Sequence, residues 1–196
     1  GNLRQQVVDV GAQLGGVFLQ VLGSDVRRRR RHIQRALYHT VGRSMAPCFL
    51  TTPYFVPPPR LLRALVHARR RGVDVRVLTA GISDVPIVAA AARHLYGTLL
   101  RAGVRIFEMT GRTLHAKTAA IDGVYASIGS FNLDRWSFSR NLEVNFAALG
   151  PGLARSLEHR MEEDLLLSRE VSQAEHDARG LWDRLVGWVA FQLMRL

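Results

Sequence analysis

Between Cys48 and Phe107 the chain alternates short apolar runs with amphipathic ones, and no other feature constrains its fold as strongly. Cys48 to Thr52 reads as a buried strand, ended by Pro53 and by Pro57 to Pro59. From Arg60 to Arg71, Leu61, Leu62, Leu65 and Val66 form a helical stripe that Gly72 stops. Val73, Val75 and Val77 alternate as a second strand. Val85 to Ala102 reads as a second helix, and Gly103 hands over to a third strand, Val104 to Phe107. Strand, helix, strand, helix, strand requires crossover connections, which set the strands parallel and lay helices over the sheet.

The flanking segments fit the same plan. Ile33, Leu37 and Val41 recur at four-residue spacing, predicting a helix over about Val26 to Val41. Leu114 to Ile121, Val124 to Ile128 and Leu142 to Ala148 read as strands, with Asp122-Gly123 a hairpin-type turn between the first two. Leu153 to Leu196 reads as helical, broken near Ser168 and Gly180. A chain of 196 residues, 47% of them hydrophobic, suffices for one domain with a sizeable core. The expectation is an α/β/α sandwich with a mixed, largely parallel central sheet and a helical C-terminal tail. Its expected parts are a connecting segment over 1–25, a catalytic domain over 26–168 and an amphipathic tail over 169–196.

Charge is unevenly spread within the net +11: through Arg105 there are 17 basic and 4 acidic residues, beyond it 10 and 12. The positive first half favours anionic partners, nucleic acid or phospholipid headgroups, without choosing between them. The run Arg27 to Arg31 reads as a solvated helix face. Cys48 stands alone, which excludes an internal disulfide framework and makes a reducing compartment the easier reading. The apolar stretch Val7 to Leu22 is interrupted by Asp9, Gln13 and Gln20 and lacks a basic leader, so it fits neither a signal peptide nor a spanning helix.

Chemistry concentrates where basic residues are otherwise all arginine. Lys117 is the only lysine among 27 basic residues, in His115-Ala-Lys117, followed by Asp122 and then Gly129-Ser130-Phe131-Asn132. Alternate side chains of a strand share a face, so His115 pairs with Lys117 and Ser130 with Asn132. An imidazole, an ammonium, a hydroxyl and a carboxamide on neighbouring strands make a cradle for the oxygens of a phosphate. The imidazole remains free to attack phosphorus and carry the phosphoryl group.

This pattern, H-x-K-x4-D-x6-G-S-x-N, resembles the signature of the phospholipase D superfamily, with all six specified positions matched. Asn132-Leu133-Asp134, Ser137 and Asn141-Leu142-Glu143-Val144-Asn145 continue in the manner of bacterial cardiolipin synthases, as do Thr52 to Pro57 and Arg71 to Arg76 upstream. The resemblance implies a mechanism without metal or cofactor at a phosphodiester, in which one histidine becomes a phosphohistidine and a second protonates the leaving alcohol. The substrate it implies is phosphatidylglycerol and the product cardiolipin, made by a peripheral protein on the cytoplasmic side of the bacterial inner membrane.

Full-length cardiolipin synthases carry two such motifs, and only one is present here. The chain begins with Gly rather than Met. It is therefore expected to be the C-terminal half of a longer protein, with His115 the general acid, or one of two copies meeting at a two-fold axis, with His115 in both roles. A single-motif homodimeric phosphodiesterase or nuclease is the main alternative, and an inactive lipid-binding scaffold another; nucleic acid is the less favoured partner.

The candidate catalytic set is His115, Lys117, Asp122 and Glu143, with phosphate bound by His115, Lys117, Ser130 and Asn132. By resemblance Glu143 hydrogen-bonds a catalytic imidazole and fixes its tautomer. Asp122 has a competing role, because Asp-Gly turns brace loops for local reasons. Tyr54 and Phe55 lie in a proline-rich loop beyond a strand, where α/β sheets commonly bind ligands, and are candidate lipid contacts beside a core-packing role. Trp182 and Trp188 sit in a segment apolar nearly all round from Leu185 to Met194, too short to span a bilayer and suited to a membrane interface or to docking on another half.

Overall fold

The computed structural model describes residues 7–10, 17–25, 30–134, 137 and 142–194. In chain order the strands are β1 (Val7–Val10), β2 (Val17–Asp25), β3 (Arg30–Arg31), β4 (Cys48–Thr51), β5 (Phe55–Val56), β6 (Val75–Ala80), β7 (Arg105–Met109), β8 (Thr118–Ile121), β9 (Tyr125–Gly129), β10 (Leu133–Asp134), β11 (Glu143–Leu149) and β12 (Ser168–Glu170). The helices are α1 (His32–Arg43), α2 (Pro59–Arg70), α3 (Pro86–Arg101), α4 (Pro151–Leu165), α5 (Gln173–Asp177) and α6 (Leu181–Leu193).

Punctuation residues set the helix ends. Helices α2, α3 and α4 each open on proline, whose missing N–H is an orphan at that position anyway. Gly72 and Gly103, at φ +92° and +85°, end α2 and α3. Val73 N then donates to Ala68 O and Val104 N to Leu99 O, closing the left-handed C-terminal motif that favours glycine.

The central sheet runs β1-β2-β11-β9-β8-β4-β6-β7-β12, with β3 paired to β2. Parallel pairing is confined to β4-β6-β7, the strands joined through α2 and α3. The remaining neighbours are antiparallel, so the mixed sheet is parallel only where helical crossovers connect its strands. One face buries Cys48, Leu50, Val75, Val77 and Ile106 against α1, α2 and α3. The other buries Phe49, Leu78 and Phe107 against Leu157 and Met161 of α4, completing the sandwich.

Several segments differ from their sequence reading. The segment 1–25, expected as a connector, supplies β1 and β2, and β2 pairs with β11 along seven residues. A run rich in valine, leucine and phenylalanine becomes a strand once an open edge offers it unpaired backbone groups. The helix expected from Val26 begins at His32, since Arg30 and Arg31 turn back on Asp25 and Ser24 as β3. Arg27 to Arg29 of the basic run lie outside the described residues. The break near Ser168 is a strand, β12, antiparallel to β7. In the tail, Ala190 of α6 and Met194 just beyond it are buried in the main core, and Gly187 lies against the backbone of Ala90 in α3. No helix among the described residues is long and apolar enough to cross a membrane.

Candidate active site

Strand β8 begins at Thr118, so residues 111–117 enter the sheet as an extended loop, where a strand from Leu114 was expected. His115 and Lys117 nevertheless meet. Lys117 Nζ donates to His115 O at 2.8 Å and lies 3.4 Å from His115 Nε2. His115 is an exposed residue, whereas Lys117 as a whole is only 8% exposed.

The second wall comes from β9 and β11. Gly129 N donates to Lys117 O, tying the end of β9 to the histidine loop. A Cβ at Gly129 would lie 2.3 Å from both Val144 O and Asn145 Oδ1, so only glycine allows β11 this close. The next residue, Ser130, accepts from Val144 N at 3.1 Å and donates its hydroxyl proton to Glu143 Oε2. Glu143 is thus held by Ser130. Asn132, two residues on, has a buried Oδ1 without a hydrogen-bond partner among the described residues. That oxygen needs a donor, which ionised phosphate oxygens do not supply, so a phosphate would be held by the Nδ2 group of Asn132 instead.

Burial pushes the Lys117 ammonium below its ordinary pKa, and the charges of Glu143 and Asp134 oppose that shift. The ammonium is thus a charge held in a poorly solvated place with two carboxylates in its field. A phosphate entering the cluster would meet a desolvated cation, where the attraction is stronger than in water.

Other predicted members lie elsewhere. Asp122 sits beyond the far end of β8, five residues past Lys117 and roughly 16 Å along the strand at 3.3 Å per residue. Its Oδ1 accepts from Met45 N at 2.9 Å and Ala46 N at 2.7 Å, and with Gly123 it adopts left-handed backbone, φ +58° and +66°. In this structure Asp122 ties a turn to the loop before β4 and does not join the phosphate cluster. Phe55 is fully buried because β5 pairs with β10, which turns its ring into the core and away from any lipid. Tyr54 is half-buried, with Oη donating to Asp84 Oδ1 at 2.6 Å; that bond, aided by burial, pushes its hydroxyl up to about 12. Trp182 and Trp188 are exposed on α6, which packs on α3 and lies apart from the histidine loop.

Two contributors stand in the sequence as part of the family resemblance but outside the candidate site set. Asn145 is buried, accepts from Phe131 N at 3.2 Å and donates to Ser127 Oγ at 3.0 Å, so it fixes the Gly129–Asn132 loop from below. Its signal was available, since Glu143 and Asn145 are two polar residues on the inward face of an otherwise apolar strand. Asp134 is a buried carboxylate that accepts from Ser137 N at 3.0 Å and acts on both Lys117 and Tyr54. The sequence carries it two residues beyond Asn132, but its approach to Tyr54 comes from the β5-β10 pairing.

Residues 37–165 match the family model described as cardiolipin synthase, PLD-like domain. Among curated proteins, the chain is 32% identical over 174 residues to cardiolipin synthase A of Pectobacterium carotovorum, covering 89% of this chain. It spans only 36% of that relative's length. Among solved structures it is similar to the phosphatidylserine synthase of Haemophilus influenzae, at TM-score 0.70 and 15% identity over 93% of this chain and 46% of the other. It is also similar to the phospholipase D family member Nuc of Salmonella typhimurium, at TM-score 0.69 and 20% identity over 80% of this chain and 99% of that one.

Proposed function

The chain belongs to the phospholipase D superfamily, within its cardiolipin synthase-like members, and on that premise we propose that it serves a phosphatidyltransferase that forms cardiolipin from phosphatidylglycerol, with this chain supplying one of two motif-bearing halves of the site. The observation that carries the reading is the exposed residue His115 set on the buried Lys117, beside the Ser130–Glu143 pair.

In the first step one histidine of the pair attacks phosphorus, forming a P–N bond as the P–O bond to the leaving glycerol breaks. The other histidine gives that alkoxide a proton. In the second step a hydroxyl of phosphatidylglycerol bonds phosphorus, its proton passes to the second histidine and the P–N bond breaks. Both histidines return to their starting states. Lys117, Asn132 and a reoriented Ser130 hydroxyl hold the non-bridging oxygens, where charge develops.

The need for a second half has its own support. Val21, Phe146 and Ile128 are cross-strand neighbours and 36%, 51% and 38% exposed, forming an apolar row with Val144 beside Ser130. An apolar sheet face next to a reacting centre suits a second motif-bearing half, which would also exclude water. The chain alone is expected to make no cardiolipin, and a partner half carrying a second motif to restore synthesis. An acid-quenched reaction of the restored enzyme should contain phosphohistidine, and His115→Ala should abolish turnover. Cardiolipin made by a demonstrated monomer of this chain would sink the half-site reading.

Two copies of this chain are the second reading, favoured by the match to nearly the whole of the Salmonella chain. Metal-free cleavage of DNA by the purified dimer, abolished by His115→Ala, would replace the lipid reading with a nuclease. For the membrane, α6 offers Leu181, Trp182, Leu185 and Trp188, all exposed, with Arg184 exposed beside them. We assign this helix to peripheral docking on an anionic bilayer at the cytoplasmic side of the inner membrane. Flotation with phosphatidylglycerol vesicles should weaken in Trp182→Ala/Trp188→Ala; binding unchanged in that variant would instead assign α6 to a protein contact.

A further inference from the structure

Loop 111–117 and α4 enclose a cleft of about 330 Å³ that is lined by His115 itself. Leu114, Leu157 and Met161 give it an apolar side. Arg112, Arg160 and Asp164 give it a charged one. Asp164 is the hub: its Oδ1 accepts from Arg112 Nη2 and lies 3.6 Å from Arg160 Nε, while its side chain is only 11% exposed. The guanidinium groups stay open, at 43% and 56% exposure. Arg160 is also held at 2.9 Å by Glu163, which is not among the cleft-lining residues. Two permanent cations and the Asp164 carboxylate therefore face the cleft beside the imidazole, with Glu163 pairing Arg160 from outside it, so a ligand phosphate would take the place of Glu163 on Arg160.

We propose that this cleft binds a second phosphodiester, the one carried by the acceptor alcohol, and that Arg112 and Arg160 determine acceptor specificity. The proposal rests on the phosphatidyltransferase reading above. When a phosphatidyl group passes to a hydroxyl of phosphatidylglycerol, the product holds two phosphodiesters bridged by one glycerol. The acceptor's own phosphate must therefore sit one glycerol away from the phosphorus held at His115.

Two anions that close repel each other, so the second needs its own cations. Arg112 precedes His115 by three residues of extended loop, a span of at most about 10 Å. That is the scale of a glycerol bridge. A guanidinium fork suits the paired oxygens of a phosphodiester, and Asp164 holds both forks in place before the ligand arrives. Hydrolysis or transfer to a neutral alcohol makes no use of such a site.

The test uses the complete protein, with phosphatidylglycerol as donor and ethanol added as a competing neutral acceptor, and reads the ratio of cardiolipin to phosphatidylethanol. Arg112→Gln/Arg160→Gln should lower that ratio by about tenfold or more and raise the KM for acceptor phosphatidylglycerol, as loss of charge-assisted contacts predicts. Arg160→Gln alone, which leaves Arg112 on Asp164 and so protects folding, should lower it by a smaller factor. Arg155→Gln, exposed on the same helix and outside the cleft, should leave the ratio unchanged. Equal loss of both products, or an unchanged ratio in the double variant, overturns the subsite. Absence of both products from the unsubstituted protein removes the phosphatidyltransferase reading, and the subsite with it.

Discussion

Asp122 is the motif residue whose role the structure redirects, and substituting it separates a chemical role from a structural one. Its carboxylate accepts two backbone N–H groups, from Met45 and Ala46, while its own backbone is left-handed at φ +58°. Hydrogen bonds to a charged group contribute about 1.5–3 kcal/mol each, and the lower figure applies here because Met45 is exposed and water can replace one partner. Two such bonds come to about 3 kcal/mol. Alanine also tolerates left-handed backbone less well than aspartate, adding about 1 kcal/mol. Asp122→Ala should therefore cost about 4 kcal/mol, or roughly 10 °C in Tm for a chain of this size. Asp122→Asn keeps an acceptor oxygen and the backbone preference, and should cost about 1 kcal/mol. The assay is thermal unfolding by circular dichroism beside kcat of the complete protein well below the melting range. Both variants should keep near-normal kcat per folded molecule. An Asp122→Asn enzyme with unchanged Tm and kcat reduced a hundredfold would refute the structural assignment.

Gly129→Ala places a methyl 2.3 Å from Val144 O and Asn145 Oδ1, so β9 and β11 must separate; urea denaturation should show a loss of about 2 kcal/mol or more, together with impaired turnover as Ser130 moves. An unchanged midpoint would contradict the close approach. Lys117→Arg should lower kcat about a hundredfold despite keeping the charge, because a broad fork does not fit where a compact ammonium contacts His115 O at 2.8 Å; near-normal turnover would refute the cradle. Cys48 is wholly buried and its thiol is pushed up to about 12 by burial, so a thiol reagent at neutral pH should react only through unfolding. A raised thiol pKa gives stability that is intact below the unfolded value near 9 and lost as pH rises from there toward 12, which denaturation midpoints across that range should register.

The three central-sheet strands and two helices that begin between Cys48 and Phe107 were legible because their order, period and punctuation are local properties; β5 was not. Proline opened α2 and α3 and glycine closed them where the sequence has them. The pairing of β2 with β11 was not legible, since nothing in Val17–Asp25 names a partner more than a hundred residues away. The same limit explains β12, whose three residues are a strand only because β7 has an open edge.

For the site, the sequence alone determined which chemical groups are available. One lysine among 27 basic residues, spaced two from a histidine and followed by Gly-Ser-x-Asn, offers donors and a nucleophile whatever backbone carries them, and the proposed phosphate cradle rests on that set. Tertiary structure decided which of the neighbouring residues belong to it. Phe55 went to the core through the β5-β10 ladder, and Asp122 to the opposite end of β8. Asn145 was brought beneath the Gly129–Asn132 loop by the β9-β11 register, and Asp134 to Val56 by the β5-β10 pairing. Spacing along a chain fixes a side chain's direction only within one element. Whether two polar groups share a site depends on strand register and burial, which long-range pairing alone establishes.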